Sequence, residues 1–350
     1  MLSEVHINMP NRHSTLTSLF VDIADSIRSK TGDSAKIKAD DFDTAIEAIQ
    51  TGGGGETVEL SVTQNGTYVP DEGTTYSKVS VNVPQTVASG TVKALLDATK
   101  SCYYLFSSYR GTSVDGLISY ADTSNVTSMS YMFHGCENLT TIPQLDTSNV
   151  LSMNDMFDGC NKLASIPQLD TSKVTNMSSM FAFCRNLTTI PLLDTSKVTN
   201  FGSWLYSCES LTSIPQLNTS SATNMNSMFQ GNKKLTTIPQ LDTSKVTNMY
   251  YTFQLCTSLT TIPALDVSKV TNTYYMFGGC SSLKSILMYG MKVSFDIHAS
   301  TKFEESDLVT ILNNLATVTS TQTLTMGATN LAKLTDEEKA IATNKGWTLA

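Results

Sequence analysis

Acid-base and metal chemistry near neutral pH falls mainly to histidine, cysteine and carboxylate side chains. In this sequence those residues are either scarce or spread at a fixed interval. His6, His13, His134 and His298 are the only imidazoles, and they lie in unrelated segments. No His-Glu-x-x-His, Gly-x-Ser-x-Gly or phosphate-loop pattern is present. Two aspartates could still meet in the fold as a catalytic pair, but nothing singles one out, and neither an enzyme nor a cofactor is expected.

Six of the seven cysteines, Cys136, Cys160, Cys184, Cys208, Cys256 and Cys280, fall on one 24-residue register, with Asn232 in the vacant slot. A metal or disulfide ladder is one reading of such a series. A small buried side chain is the other, and it is favoured because no close Cys-x-x-Cys pair exists to fix a tetrahedral site. Reduced, metal-free thiols are therefore expected. An aspartate series on the same register could hold calcium, but Asp-Thr-Ser segments more often close turns on their own backbone. Recognition has more material. Tyr131, Phe183, Tyr206, Tyr250, Tyr251, Tyr274 and Tyr275 flank a recurring Met-Phe pair, and Trp204 replaces a Met beside them. These eight residues are the candidate ligand-binding set, suited to sugar faces or protein partners. Padding of the surface or an oligomer contact explains the same rings, and both readings stand at this point.

What must position them is a repeat. Seven copies of 24 residues begin at Asp122, Asp146, Asp170, Asp194, Asn218, Asp242 and Asp266. Leu163, Leu187, Leu211, Leu235, Leu259 and Leu283 hold one slot, and Ile142, Ile166, Ile190, Ile214, Ile238 and Ile262 another. A slot that stays apolar in every copy must face a shared core. Met177, Met180, Phe181 and Cys184 fall at i, i+3, i+4 and i+7, which predicts two turns of helix. The Thr-Thr-Ile-Pro and Lys-Val-Thr-Asn segments read as brief strands. One such unit cannot bury its apolar face alone, so the copies must stack into a solenoid whose seven turns span roughly 30 to 35 Å.

The Leu-x-x-Ile-Pro, Asp-Thr-Ser-Lys-Val-Thr-Asn-Met and Met-Phe-x-x-Cys-x-x-Leu elements resemble the BspA-type bacterial surface protein repeat, a relative of the leucine-rich repeat found in adhesins and phage tail proteins. The resemblance covers residues 122 to about 286 and implies an α/β, leucine-rich-repeat-like solenoid of seven 24-residue turns.

The flanks divide into further segments. Residues 1–51 form an N-terminal attachment region with amphipathic helices expected over residues 14–29 and 40–50; residues 52–56 are a glycine linker. Residues 57–84 read as a small β module with a turn at Asn65-Gly66, and residues 85–121 as the solenoid's N-terminal cap. The solenoid then occupies residues 122–289 and an α/β C-terminal cap residues 290–350. In that cap strands are expected at Val293–His298, Thr321–Met326 and Trp347, with helices at Ser306–Ala316 and after a capping box at Thr335–Glu338. The Ile23–Gly32 stretch and the Asn65–Val83 module resemble leading segments of tail and baseplate proteins of phages of Gram-positive hosts. That implies attachment to other tail or baseplate proteins through residues 1–51.

Composition excludes several functions. With 23 basic and 31 acidic residues the net charge is −8, and no Lys/Arg run offers a grip on nucleic acid or anionic lipid. No apolar stretch is long enough to span a membrane, and the first residues lack a basic and an apolar region, so no secretion signal is expected there. The 49 Thr and 42 Ser, about a quarter of the chain, follow from the polar rungs of the repeat. The resulting expectation is a phage tail or baseplate protein, located in the virion and homo-oligomeric, whose solenoid binds a host cell-surface glycan or protein. A structural tail spacer and an adhesin of the bacterial cell surface are the alternatives.

Overall fold

The computed structural model describes residues 58–62, 76–81, 101–103, 105–114 and 123–350. The helices expected over 14–29 and 40–50, the glycine linker, the Asn65-Gly66 turn and most of the 85–121 cap lie outside these residues.

The solenoid is built from single-residue rungs. Parallel bridges run from Ser101 through Ser128, Ser152, Asn176, Asn200, Asn224 and Asn248 to Asn272. The expected Lys-Val-Thr-Asn strand shrinks to this rung because it is hemmed in. A turn precedes it, closed by Val174 N–H donating to the Thr171 carbonyl (2.9 Å), and a second run of turns begins just after it. The Thr-Thr-Ile-Pro strand is likewise mostly irregular. Proline has no N–H to continue a ladder, and a side chain takes over: the Gln168 amide donates to the Leu192 carbonyl at 2.7 Å, and Gln144 does the same to Gln168. Regular strand appears in the last two turns, where β3 (Thr261–Asp266) pairs in parallel with β4 (Ser285–Tyr289).

The predicted helix in each copy is not a helix. In the third copy, Met177, Ser179, Phe181 and Phe183 donate their N–H groups to carbonyls of the next copy, whereas Met180, Ala182 and Cys184 donate to carbonyls three residues back. The segment is a ribbon of consecutive β-turns, and half its donors serve the neighbouring turn. An α-helix would satisfy its bonds within one copy and leave the stack unbonded. The i, i+3, i+4, i+7 stripe cannot tell the two apart, since Met177, Met180, Phe181 and Cys184 are all fully buried in either.

The core follows the register. Phe106, Phe133, Phe157 and Phe181 stack along the axis at 5.5 to 5.6 Å with planes within 9°. Leu205 and Trp204 interrupt the column, and Phe229, Phe253 and Phe277 resume it. The Leu slot is fully shut. The Ile slot lies at the rim of the core, and Ile214 is half-buried there against the expectation of complete burial. Phe106 enters the column from the cap, whose rung Ser101 stands 27 residues before Ser128, so that turn is three residues longer than a repeat.

Upstream, within the expected β module, β1 (Val58–Val62) and β2 (Tyr76–Val81) pair in parallel. Downstream, β5 (Phe295–Asp296), α1 (Glu305–Asn314), β6 (Gln322–Thr325), α2 (Ala328–Leu331), α3 (Asp336–Thr343) and β7 (Trp347–Leu349) form the C-terminal cap. Its three strands are parallel in the order β5-β6-β7. At the start of α3, Glu338 N–H donates to Thr335 Oγ1 and Thr335 N–H to Glu338 Oε2, the expected capping box. The Met291–Leu315 bridge and the buried Ile297 and Phe303 extend the solenoid core into this cap.

Candidate functional site

Each turn ribbon needs two left-handed residues, and these set the geometry of the surface. The first column holds Tyr131, Asp155, Ser179, Ser203, Ser227, Tyr251 and Tyr275, all at φ between 50 and 58°. The second, four residues on, holds Gly135, Gly159, Phe183, Ser207, Gly231, Leu255 and Gly279. A left-handed φ is costly for a bulky side chain, so Tyr251, Tyr275, Phe183 and Leu255 stand where the fold would prefer glycine, asparagine or a small polar residue. The core gains nothing from them. Tyr275 is 51 % exposed and Leu255 46 %.

Four of the predicted residues gather. Tyr250 and Tyr274 stack at 5.6 Å with planes 11° apart, and Tyr251 lies 5.8 Å from both Tyr274 and Tyr275. Tyr274 and Tyr275 meet edge to face at 4.5 Å. Glycines clear the space beside them: a Cβ on Gly278 would come within 2.9 Å of the Tyr275 ring, and one on Gly279 within 2.8 Å of Leu255. A hydrogen bond with Tyr250 raises the Tyr251 phenol above its ordinary pKa, and desolvation followed by Tyr275 and Tyr251 does so for Tyr274. Tyr251 and Tyr274 are thereby held in the neutral phenol form throughout the physiological range. The result is an uncharged platform of four rings with hydroxyl edges.

The other four candidates separate. Phe183 and Tyr206 form a half-buried edge-to-face pair at 4.7 Å, with Arg185 lying 5.8 Å from the Phe183 ring centre. Tyr131 stands apart with Tyr103 (5.5 Å) and His134 (5.7 Å). His134 is also 3.5 Å from Asp158, whose hydrogen bond raises the imidazole's pKa. Trp204 is withdrawn from the set. It is fully buried, because it fills the Met slot and spans the gap in the phenylalanine column, and an indole there cannot meet a ligand. Tyr103, 51 % exposed, and Leu255 belong to the surface and were missed by sequence reasoning. Tyr103 is hidden by the longer first turn, which shifts it off the 24-residue register. Leu255 is legible as the apolar residue in a slot that four other copies fill with glycine.

The regular series proves structural. All seven cysteines are free and buried. Six of the thiols donate to the carbonyl of the phenylalanine slot of the preceding turn at 2.9 to 3.2 Å, as Cys184 does to Phe157. Asn232 makes the same bond to Leu205 with its amide at 2.9 Å. The slot thus selects a compact donor, for which the one asparagine was the signal. Burial pushes the Cys102 and Cys280 thiols up to about 12. The aspartate heads close turns as expected: Asp170 and Asp194 each accept from the N–H two residues on at 3.0 Å, which holds their carboxyls below the usual range. Beside them runs an open groove of about 1010 Å³ lined by Gln168, Leu192, Gln216 and Gln240. Among the described residues no three metal-ligating side chains converge.

Comparison with known proteins adds the following. A family model described as "Mycoplasma protein of unknown function, DUF285" matches residues 100–216 and 205–310. The crystal structure of a leucine-rich repeat protein from T. pallidum is 18% identical, covering 60% of this chain and 84% of that one, with a TM-score of 0.33. The functional domain of InlJ from Listeria monocytogenes, which includes a cysteine ladder, is 13% identical over 72% of this chain and 68% of that one, with a TM-score of 0.18. No curated protein sequence matches the chain.

Proposed function

Because the chain belongs to the DUF285 family, whose two matched segments span the solenoid and the adjoining part of each cap, we propose that its function resides in that solenoid as a non-enzymatic recognition surface of the adhesin type. The protein acts at a bacterial cell surface, and its ligand is a glycan held on the tyrosine platform. The observation that carries this reading is the surface quartet of Tyr250, Tyr251, Tyr274 and Tyr275, in which Tyr274 and Tyr275 are exposed and the other two half-buried. Two of its members occupy left-handed positions where tyrosine is disfavoured, while the core slots beneath are already filled. Large, rigid, neutral rings with hydroxyl edges suit the flat apolar faces and equatorial hydroxyls of sugars.

A second setting is favoured by the Ile23–Gly32 and Asn65–Val83 segments, which resemble phage tail and baseplate proteins. There residues 1–51 would attach a homo-oligomer to the particle and the same platform would face the host. The ligand chemistry is common to both. The test is binding of the full chain to a panel of immobilised bacterial surface glycans and whole cell walls. Saturable binding competed by free sugar is expected. Binding to none of them, with the chain folded, would leave a structural spacer.

A further inference from the structure

The aromatic rings on the outer side of the turn ribbon, some exposed and some half-buried, recur at regular intervals along the solenoid axis. Tyr103 with Tyr131 joins the cap turn to the first copy, Phe183 with Tyr206 joins the third to the fourth, and the tyrosine quartet joins the sixth to the seventh. The second and fifth copies carry only polar groups in the same slots: Asn154, Asp155 and Asp158 in one, Asn226, Ser227 and Gln230 in the other. Each aromatic patch therefore spans two neighbouring turns, and a single polar turn separates it from the next.

The three patches lie on two neighbouring ladders of the same ribbon, Tyr131 and the tyrosine quartet on the first and the Phe183–Tyr206 pair on the second, four residues on. In the first column Tyr131 donates its N–H to Asn154, Asp155 to Ser178, Ser179 to Gly202, Ser203 to Asn226, Ser227 to Tyr250 and Tyr251 to Tyr274, turn after turn without a break. The Phe183 column, four residues on, runs as a ladder of its own beside it, with Gly159 donating its N–H to Ala182, Phe183 to Tyr206 and Ser207 to Gln230. With hydrogen-bonded neighbours about 4.8 Å apart, the patch centres fall roughly 15 Å from one another and the outer two roughly 30 Å apart.

This spacing deepens, and rests on, the glycan reading above. We propose that the ligand is a linear, uncharged polysaccharide that lies along the solenoid axis and stacks on all three patches at once, its hydroxyl groups meeting the polar turns between them. A short branched glycan would need one patch and leave two unexplained. A globular protein partner would call for one contiguous apolar centre with a polar rim, whereas here polar turns interrupt the apolar ones. Asp155 and Asp158 in the first gap, on a chain of net charge −8, disfavour a polyanion. Engaging linked subsites on one chain raises affinity through effective concentration without any new kind of contact.

The experiment is calorimetric titration of the full chain with size-fractionated linear oligomers of β-linked glucose, N-acetylglucosamine and mannose as the uncharged series, and with bacterial wall glycan strands, whose muramyl carboxylates make them the charged comparison and whose binding alone would contradict an uncharged ligand. At least one series is expected to bind, with affinity rising about tenfold or more once fragments exceed roughly 15 Å and again beyond roughly 30 Å. The Phe183→Gly/Tyr206→Gln double variant carries the residues the fifth copy has in those slots. It should lose about tenfold or more for long fragments and nothing for the shortest that bind. The Tyr206→Gln single variant serves the same purpose should the double variant unfold. An affinity that plateaus at the shortest binding fragment, or a middle-patch variant that binds long fragments like the parent, would overturn the three-subsite proposal and leave the glycan reading intact. Binding to none of the series would overturn both.

Discussion

At the scale of single residues, the cysteine slot shows how a repeat can look like chemistry and be packing. The thiol is a compact donor aimed at a carbonyl of the preceding turn, and Asn232 supplies the same bond with its amide. Asparagine is the poorer occupant, because its Oδ1 is buried without a partner. Asn232→Cys should therefore stabilise the fold by about 1 to 2 kcal/mol, read as a higher midpoint in urea. Cys208→Ala should destabilise by a similar amount through the lost donor and the small cavity. The thiols also fix a pH response. Burial raises Cys102 and Cys280 to about 12, above the value near 8.5 of an unfolded thiol. The folded state thus holds its protons more tightly, so this stability is complete below about pH 8.5 and is lost as pH rises toward 12. Chemical denaturation at stepped alkaline pH should show a falling midpoint across that window; a flat profile would mean that the thiols are not buried as described.

At the scale of elements, apolar spacing identified the Met177, Met180, Phe181 and Cys184 core positions of the ribbon and misjudged its backbone. Met177, Met180, Phe181 and Cys184 are buried together as a helix would bury them, yet their N–H groups go partly to the next copy. Hydrophobic period reports which side chains face inward and is silent on where backbone donors go. The left-handed columns were the legible sign, since glycine recurs at positions 135, 159, 231 and 279, where a helix has no use for it. Capping chemistry, in contrast, is local and reads directly. The Thr335–Glu338 box opens α3 where the sequence placed it. Thr335→Ala should cost about 1 kcal/mol, measurable as a lower thermal midpoint of the C-terminal cap.

At the scale of the whole molecule, the seven copies share one core, so the ends decide whether the stack is soluble. The C-terminal cap is continuous with that core through Met291, Ile297 and Phe303. Truncation after residue 291 should expose the β4 edge and the last turn, giving aggregation on size-exclusion chromatography rather than a shorter monodisperse rod. At the other end the described core begins at Cys102. Deleting residues 1–55 should leave the unfolding midpoint of the solenoid unchanged, and a lowered midpoint would show that the boundary drawn from the glycine run is misplaced. Solenoid architecture was legible from the 24-residue register because every copy repeats the same demand. The proposed recognition surface was legible only in part, for the opposite reason. Its residues are those the register leaves free, so Trp204 passed for a surface ring until its slot was seen to be a core slot, and Tyr103 went unnoticed outside the register.

The claim on which the functional account rests is that the tyrosine platform, and not the stack as such, makes the contact. Copies two and five already show what the fold accepts in its place: asparagine in the Tyr250 and Tyr274 slot, aspartate or serine in the Tyr251 and Tyr275 slot. The Tyr250→Asn/Tyr251→Ser/Tyr274→Asn/Tyr275→Ser variant should therefore stay folded with a midpoint close to the parent's, since the exposed Tyr274 and Tyr275 each move stability by less than about 0.5 kcal/mol and the changes at Tyr251 and Tyr275 place small polar residues at left-handed positions. Its binding to bacterial cell walls, compared side by side with the parent, should fall by about a hundredfold as four ring contacts of roughly 0.5 to 1.5 kcal/mol each are removed, with some overlap among them. A folded variant that binds walls as tightly as the parent would contradict the account.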